Sequence, residues 1–300
     1  MKHFLAVVVV VFSMVGSAYA GLDRTAVSLN GSDTNPCSLQ LPCATFAKAI
    51  SETNPLGELI ALDSGGYDGF TVDRGMNITV APGAVVTIGK EPGTTGWAIK
   101  VDAPGKYVAI RGVMVVANGI SGIVAHDAAR TYIDDVVIEG NGCDNGCGTG
   151  IFGRRGALFV HNARIHNVFN GIVHNPLEPS TATITDSIID GADSTGIRVD
   201  NYARATVRNT VVSHTHYAFA SGTLEKDGKP SLTLVDCTAS DSETGIDIGD
   251  GSIVRLERTA VTRNTIGLHN TGGTVITFGN NMVDGNGTDT VGPMTTNVLM

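Results

Sequence analysis

A short pattern of residues recurs along most of this 300-residue chain and constrains its fold more than any other feature. The pattern, called the frame below, is an apolar residue, one free position, Asn or Asp, two free positions and a second apolar residue, as in Val160, Asn162 and Ile165. The central residues of the eight copies, two of them imperfect, are Gly112, Asp135, Asn162, Asp186, Asn209, Asp236, Arg258 and Asn280.

Successive central residues lie 23, 27, 24, 23, 27, 22 and 22 positions apart. A second marker, usually Gly-Ile, follows each of the first seven central residues by 9 to 15 positions. Its first residues are Gly122, Gly150, Gly171, Gly196, Ala218, Gly245 and Gly267. Two linked markers with a period of this size predict a solenoid.

The composition of the repeats selects one kind of solenoid. The runs are β-branched and alternating, as in Val211-Val212, and no helical stripe is sustained after residue 60. These features favour a parallel β-helix, in which each coil pairs with the next at about 4.8 Å. The Asn and Asp residues would then form a ladder at one turn, and the marker Gly would supply a positive φ before a strand.

The coils resemble the secreted right-handed parallel β-helix proteins of the pectin-lyase-like superfamily. The opening segment from Arg24 to Ile50, with Asn35-Pro36-Cys37 and Pro42-Cys43-Ala44-Thr45-Phe46, also resembles the N-terminal caps of bacterial members. The resemblance implies an all-β fold, a right-handed parallel β-helix solenoid with a short N-terminal helical cap. It implies no single reaction, because the superfamily includes lyases, hydrolases, epimerases, adhesins and proteins of no known activity.

Four segments are predicted. Residues 1–20 have the charge, apolar run and Ala18-Tyr19-Ala20 ending of a signal peptide, so we expect a mature chain that starts at Gly21 and is secreted or periplasmic. Residues 21–60 should form the N-terminal cap, with a helix over Ala44 to Glu52. The β-helix should occupy residues 61–287, and residues 288–300 should form a C-terminal tail. No later stretch is long enough to span a membrane.

The charge balance narrows the range of partners. With 20 basic and 29 acidic residues, the net charge is −9, which disfavours nucleic acid. A polysaccharide or a cell-surface glycan is the expected partner, although a polyanionic sugar would be repelled on average. We expect the protein to be a monomer.

The five cysteines fit an exported protein. Cys37 and Cys43 are close enough for one local disulfide, and Cys143 and Cys147 are close enough for another. Cys237 takes a repeat position held elsewhere by Ser or Thr, which predicts a small buried thiol. No metal ligands are assigned; calcium is the one cofactor considered, because Asp144-Asn145-Gly146 supplies some of the oxygens of a cation loop.

Strand alternation predicts which frame residues face outward. The first, central and last residues should face the core, and the positions one before, two after and four after the central residue should face solvent. Stacking would then align Glu139, His166 and Asp190, with Arg164 beside them. If the protein is an enzyme, we expect these four to be catalytic, because carboxylates with His or Arg can cleave glycosidic bonds by elimination or hydrolysis.

Five further residues are predicted to bind a glycan. His161 lies one position before a central residue, and four others follow the Gly-Ile markers: Arg154, Arg155, His174 and Arg198. The alternative is a solvated outer sheet with weak cross-coil ion pairs.

Three functions follow from these patterns. The first is carbohydrate binding without catalysis, because the Gly-His-Gly and Arg-Ile-Lys motifs of the polygalacturonase kind are missing and Lys is nearly absent from the coils. The second is a polysaccharide lyase or glycoside hydrolase. The third is a structural or adhesive surface protein.

Overall fold

A computed structural model describes residues 21–90, 93, 96–141, 148–223, 225, 227–294 and 297–298. The predicted signal peptide, the predicted Cys143–Cys147 disulfide and the Asp144-Asn145-Gly146 loop lie outside the described residues, so these three remain predictions.

The described chain consists of short strands with one helix near the N-terminus. In the first half the elements are β1 (Leu22–Val27), α1 (Phe46–Glu52), β2 (Thr53–Ala61), β3 (Gly65–Tyr67), β4 (Phe70–Val72), β5 (Met76–Val80), β6 (Val86–Ile88), β7 (Trp97–Arg111), β8 (Val113–Val116), β9 (Ser121–Asp134), β10 (Val137–Glu139), β11 (Thr149–Gly153), β12 (Ala157–His161), β13 (Arg164–His166) and β14 (Asn170–His174). They continue as β15 (Ser180–Thr185), β16 (Ile188–Asp190), β17 (Thr195–Asp200), β18 (Ala203–Arg208), β19 (Val211–Ser213), β20 (Tyr217–Gly222), β21 (Ser231–Val235), β22 (Thr238–Ser240), β23 (Thr244–Ile248), β24 (Ile253–Glu257), β25 (Ala260–Thr262), β26 (Ile266–Asn270), β27 (Thr274–Thr277), β28 (Met282–Val283), β29 (Thr288–Val291) and β30 (Asn297–Val298).

The strands form three parallel stacks, one on each face of a solenoid. The first face contains the strands that begin at the Gly-Ile marker, from β4 through β11, β14 and β17 to β29. The second contains the first half of each frame, from β1 through β12 and β15 to β30. The third contains the second half, from β3 through β10 and β13 to β28. The long strands β7 and β9 run from the first face onto the second. The predicted all-β parallel β-helix is therefore confirmed.

Apolar columns fill the interior. On the third face, Ile138 pairs with Ile165, and Ile165 pairs with Ile189; all three are fully buried. Burial of such a side chain contributes roughly 1.5–3 kcal/mol, so the repeated columns supply the main driving force for stacking.

The marker glycines are required for lack of space rather than for the predicted positive φ. Gly196 does not have a positive φ. A Cβ at Gly196 would lie 2.2 Å from Cγ1 of Val212 and 2.7 Å from the carbonyl oxygen of Ala218. The glycine is needed because the first face passes very close to the third-face side chains and to the next coil.

The Asn and Asp ladder lies at the corner between the second and third faces, as predicted. Asn162 and Asn209 donate side-chain hydrogen bonds of 2.6 Å to Asp135 and Asp186, each one coil away. All four residues have φ between 45° and 55°, a left-handed conformation that Asn and Asp tolerate better than other non-glycine residues.

The prediction that the central residues face the core is wrong. Asp135, Asp186 and Asn209 are exposed, and Asn162 is half-buried. A left-handed residue interrupts strand alternation, so the residue that follows it turns inward. Those following residues include Ala163, Ser187, Thr210 and Cys237, all buried. Cys237 is the small buried thiol expected from the sequence.

A second column of left-handed residues lies five positions after the first and was not predicted. Its members are Asn167, Gly191, His214, Asp241, Arg263 and Gly285. The two columns bracket β13, β16, β19, β22 and β25, which explains why these third-face strands contain three residues each.

The N-terminal segment closes the first coils. Thr45 is the N-cap of α1 and accepts a hydrogen bond from the backbone N–H of Lys48, so the helix begins at Phe46 rather than at Ala44. Phe46 is buried against the core, and the predicted Cys37–Cys43 disulfide is confirmed. Parallel pairing begins within the predicted cap and continues beyond residue 287, where β29 pairs with β26. No helix in the described part of the chain is long and apolar enough to cross a membrane.

The left-handed ladder should be sensitive to β-branched residues. We expect Asn209→Val to lower the free energy of unfolding by about 1–2 kcal/mol, because Val at φ 45° clashes with its own backbone. Urea denaturation followed by circular dichroism measures the change. The control is Thr206→Val, an outward strand position on the same coil; equal losses for the two variants would contradict the conformational argument.

Candidate functional site

Charged side chains form a row on the second face. Arg111, Asp134, His161 and Thr185 occupy the same position in four successive coils. Nε of Arg111 donates to one carboxylate oxygen of Asp134 at 2.6 Å, and Nδ1 of His161 lies 2.6 Å from the other. On its far side, Nε2 of His161 lies 3.5 Å from Oδ2 of Asp186. The row is a connected network that spans the coils.

The network sets the charge of its members. The hydrogen bond to Asp134 raises the pKa of His161, against a smaller opposing effect of burial, and the charges of Asp186 and Asp135 raise it further. Burial alone would raise the pKa of Asp134, but the hydrogen bonds from His161 and Arg111 together outweigh it and lower that pKa. Asp134 is therefore a carboxylate over a wide pH range.

Two aromatic rings lie beside this row. Tyr132 and Phe159 are register neighbours one coil apart, with ring centroids 4.7 Å apart and planes inclined by 13°. They line a shallow cavity of about 300 Å³ on the second face. Its other lining residues are Arg111, Ile133, Asp134, Val160, His161, Thr183 and Thr185. The cavity combines an aromatic platform with charged and hydroxyl groups at its edge.

Of the predicted site residues, His161 lies in this cavity, and the aromatic pair was missed. A signal for the pair was available: both rings lie two positions before the outward row, in consecutive coils. The sequence-based prediction of the site rested on the ionisable outward residues alone.

The predicted catalytic residues lie on the third face instead. Glu139, His166 and Asp190 are register neighbours, as expected, and Arg164 is exposed in the adjacent outward column. The hydroxyl of Ser213 donates to Asp190 at 2.7 Å, and Nδ1 of His214 lies 2.7 Å from the same oxygen. The stacking is confirmed; the catalytic role remains a prediction.

The other predicted binding residues lie at the end of the first-face strands. Arg155 lies 3.7 Å from Asp127, and Nε of Arg198 donates to Asp200 at 2.7 Å. Arg154, half-buried, immediately follows β11. These arginines are separated from His161 by the corner between the first and second faces.

The prediction that His174 faces solvent is wrong, since this residue is 1% exposed. It points inward from the end of β14 and fits there because its register neighbour is Gly153; a Cβ at that glycine would lie 2.6 Å from Nδ1 of His174. Its Nε2 lies 3.2 Å from the hydroxyl oxygen of Ser180. Burial lowers the pKa of His174 to about 4, so the imidazole is neutral in the folded protein.

Among the described residues, Asp134, Asp135 and His161 could bring three ligand atoms within 4.8 Å of one another. Both oxygens of Asp134 are already engaged, and Asp135 accepts from Asn162, so a cation would have to displace existing partners. Calcium therefore remains a prediction tied to the Asp144-Asn145-Gly146 loop.

Comparison with known proteins finds the same fold in other β-helices. Residues 177–297 match a family model described as a right handed beta helix region. An alginate lyase from Paenibacillus sp. str. FPU-7 aligns with a TM-score of 0.54 and 12% identity over 88% of this chain and 97% of that one. The complex of XylC with xylose aligns with a TM-score of 0.51 and 10% identity over 84% and 68%.

The pectate lyase Pel9A aligns with a TM-score of 0.48 and 12% identity over 86% of this chain and 72% of that one. A search of curated proteins finds no match to the sequence. At these identities the likeness concerns the fold alone: the chain is a right-handed parallel β-helix.

The buried His174 should make the fold sensitive to acid. Because its pKa falls from 6.5 in the unfolded chain to about 4 in the folded one, the unfolded state binds more protons between these values. Above pH 6.5, His174 therefore does not reduce the free energy of unfolding. As the pH falls below 6.5, protonation of His174 in the unfolded chain lowers the free energy of unfolding, by about 3 kcal/mol at pH 4. We expect His174→Gln to unfold at a midpoint that changes less between pH 7 and pH 4.5 than the wild-type midpoint does.

Thermal melts monitored by circular dichroism at matched ionic strength test this expectation. The control is His269→Gln, which removes a half-buried histidine on the same face. Parallel pH dependences for wild type and His174→Gln would contradict the assigned burial effect.

Proposed function

We propose that the protein binds a polysaccharide or cell-surface glycan in the cavity on the second face. The observation that carries this proposal is the stacked pair Tyr132 and Phe159, half-buried at the floor of an open cavity. Rigid aromatic rings offer large apolar contact area at a small cost in conformational entropy, and the apolar face of a pyranose ring is complementary to such a surface.

The edge of the cavity supplies the polar half of sugar recognition. Arg111, Asp134 and His161 provide charged donors and acceptors, and hydrogen bonds to charged groups are stronger than those between neutral groups. The three side chains already hold one another, so a ligand would bind without ordering them first. An open cavity on a long face suits a chain of sugars rather than an enclosed small molecule.

Lyase or hydrolase activity of Glu139, His166, Asp190 and Arg164 is a separate proposal. It is supported by the register alignment of the half-buried Glu139, His166 and Asp190 on the third face, beside the exposed Arg164. Binding on the second face does not depend on it.

We also propose that the protein is exported. The Cys37–Cys43 disulfide supports an oxidising compartment, where such bonds persist, and the N-terminal 20 residues have the pattern of a signal peptide.

Removal of an aromatic ring should weaken glycan binding. We expect Tyr132→Ala and Phe159→Ala each to raise the Kd for a bound oligosaccharide about tenfold, through lost stacking worth about 1.4 kcal/mol. Isothermal titration calorimetry against a panel of oligosaccharides measures the change. The matched control is Phe169→Ala, a phenylalanine that is 45% exposed and does not line the cavity. No binding by wild type, or an equal loss in Phe169→Ala, would refute the assigned surface.

Export should leave a specific N-terminus. Expressed in a host with a general secretory pathway, the protein should appear outside the cytoplasm with a mass that begins at Gly21. Intact-mass spectrometry measures this, and an Ala20→Arg variant, which spoils the small residue at the cleavage site, should retain the leader. A full-length wild-type chain confined to the cytoplasm would contradict the proposal.

A further inference from the structure

Around the second-face cavity, the basic side chains have acidic partners, whereas two of the acidic side chains lack a guanidinium partner. Both cations that line the cavity have internal partners: Nε of Arg111 donates to Asp134 at 2.6 Å. Nδ1 of His161 lies 2.6 Å from a carboxylate oxygen of Asp134. Each described cation that lines the cavity is therefore already paired with Asp134.

The carboxylates differ from one another in their partners. Asp134 has Arg111 and His161 as partners, whereas Asp135 and Asp186 accept mainly from the neutral amides of Asn162 and Asn209. Oδ2 of Asp186 is 3.5 Å from Nε2 of His161, and the Asp186 side chain is 46% exposed. Asp135 is exposed and lies within reach of Asp134 and His161. Two carboxylates that lack a guanidinium partner therefore flank the charged edge of the cavity.

Any glycan that carries carboxylates would meet an unfavourable field at this edge. A uronate bonded to Arg111 or His161 would bring its carboxylate close to that of Asp134, and it would approach Asp135 and Asp186 while doing so. Like charges brought together in this way lower affinity and suppress wrong partners. The net charge of −9 for the whole chain acts in the same direction at long range.

An uncharged sugar meets no such penalty. Its hydroxyl groups can donate to the free lone pairs of Asp134 and accept from Arg111 and His161 without displacing the internal pairs. Its apolar face can cover Tyr132 and Phe159. We propose that the cavity selects an uncharged glycan and rejects uronate polymers, with Asp135 and Asp186 as the residues that set this specificity. This inference rests on the proposed glycan-binding function and names the class of its ligand.

The Asn and Asp ladder permits a test with minimal change in shape. Asp135→Asn and Asp186→Asn remove the charges but keep side chains that tolerate left-handed backbone and cross-coil amide hydrogen bonding. The matched control is Asp247→Asn on the first face, which removes one carboxylate paired with His269, away from the cavity. Circular dichroism melts establish that each variant is folded.

Isothermal titration calorimetry with gluco-oligosaccharides and galacturonate oligomers of equal length provides the readout. We expect wild type to bind the neutral oligomer at least about tenfold more tightly at low salt. Affinity for the galacturonate oligomer should rise with added salt as repulsion is screened, whereas neutral affinity should stay constant. The double variant Asp135→Asn with Asp186→Asn should gain at least about fivefold for the galacturonate oligomer and change less than about twofold for the neutral one.

The outcomes separate the two proposals. If neither oligomer binds, the proposed function fails with this panel and the inference fails with it. If the galacturonate oligomer binds as well as or better than the neutral one, glycan binding stands and the inference is overturned. An equal gain in Asp247→Asn would show that overall charge, rather than these two residues, sets the selectivity, and would also overturn it.

Discussion

The structure depends on one interaction, the parallel backbone pairing of each coil with the next in fixed register. Within each described stack, the inner strands pair with one coil before and one coil after, so residues some two dozen positions apart become neighbours. Slippage of one coil by a single residue would move its apolar side chains out of the core, which is why register and hydrophobic pattern reinforce each other. The buried isoleucine columns, the amide ladder and the second-face charged row all follow from this alignment.

Much of the fold could be predicted because it repeats. One copy of the frame would be ambiguous, but eight copies at spacings of 22 to 27 residues define the coil, and the ladder of Asn162, Asp186 and Asn209 follows directly. Whether a side chain points inward or outward was harder to predict from the sequence. Strict alternation placed the central residues inside, whereas their left-handed backbone turns them out and brings the next residue in. His174 was misplaced because the space that accommodates it is created by Gly153 one coil earlier.

The candidate site was only partly predictable for a related reason. A search for ionisable residues in outward columns found His161 but passed over Tyr132 and Phe159, whose significance lies in their stacking across coils. The pairing of charges at the site also could not be predicted from the sequence. The sequence shows a mixture of acids, histidines and arginines. Only the contacts show that Arg111 donates to Asp134, while Asp135 and Asp186 accept from neutral amides.

The connection at the corner between the second and third faces has a constant length along six coils. From β9–β10 to β24–β25, two residues separate the strands at this corner in six consecutive coils, whereas the connection from the first face to the second varies from two to eight residues. A left-handed residue occupies this corner in each of the six coils, so the corner acts as a spine along one edge of the rod. Insertions can accumulate at the remaining corners without disturbing the vertical alignment of side chains beside the spine. The edge beside the second-face cavity thus keeps a constant pitch while the other edges stay open to diversification.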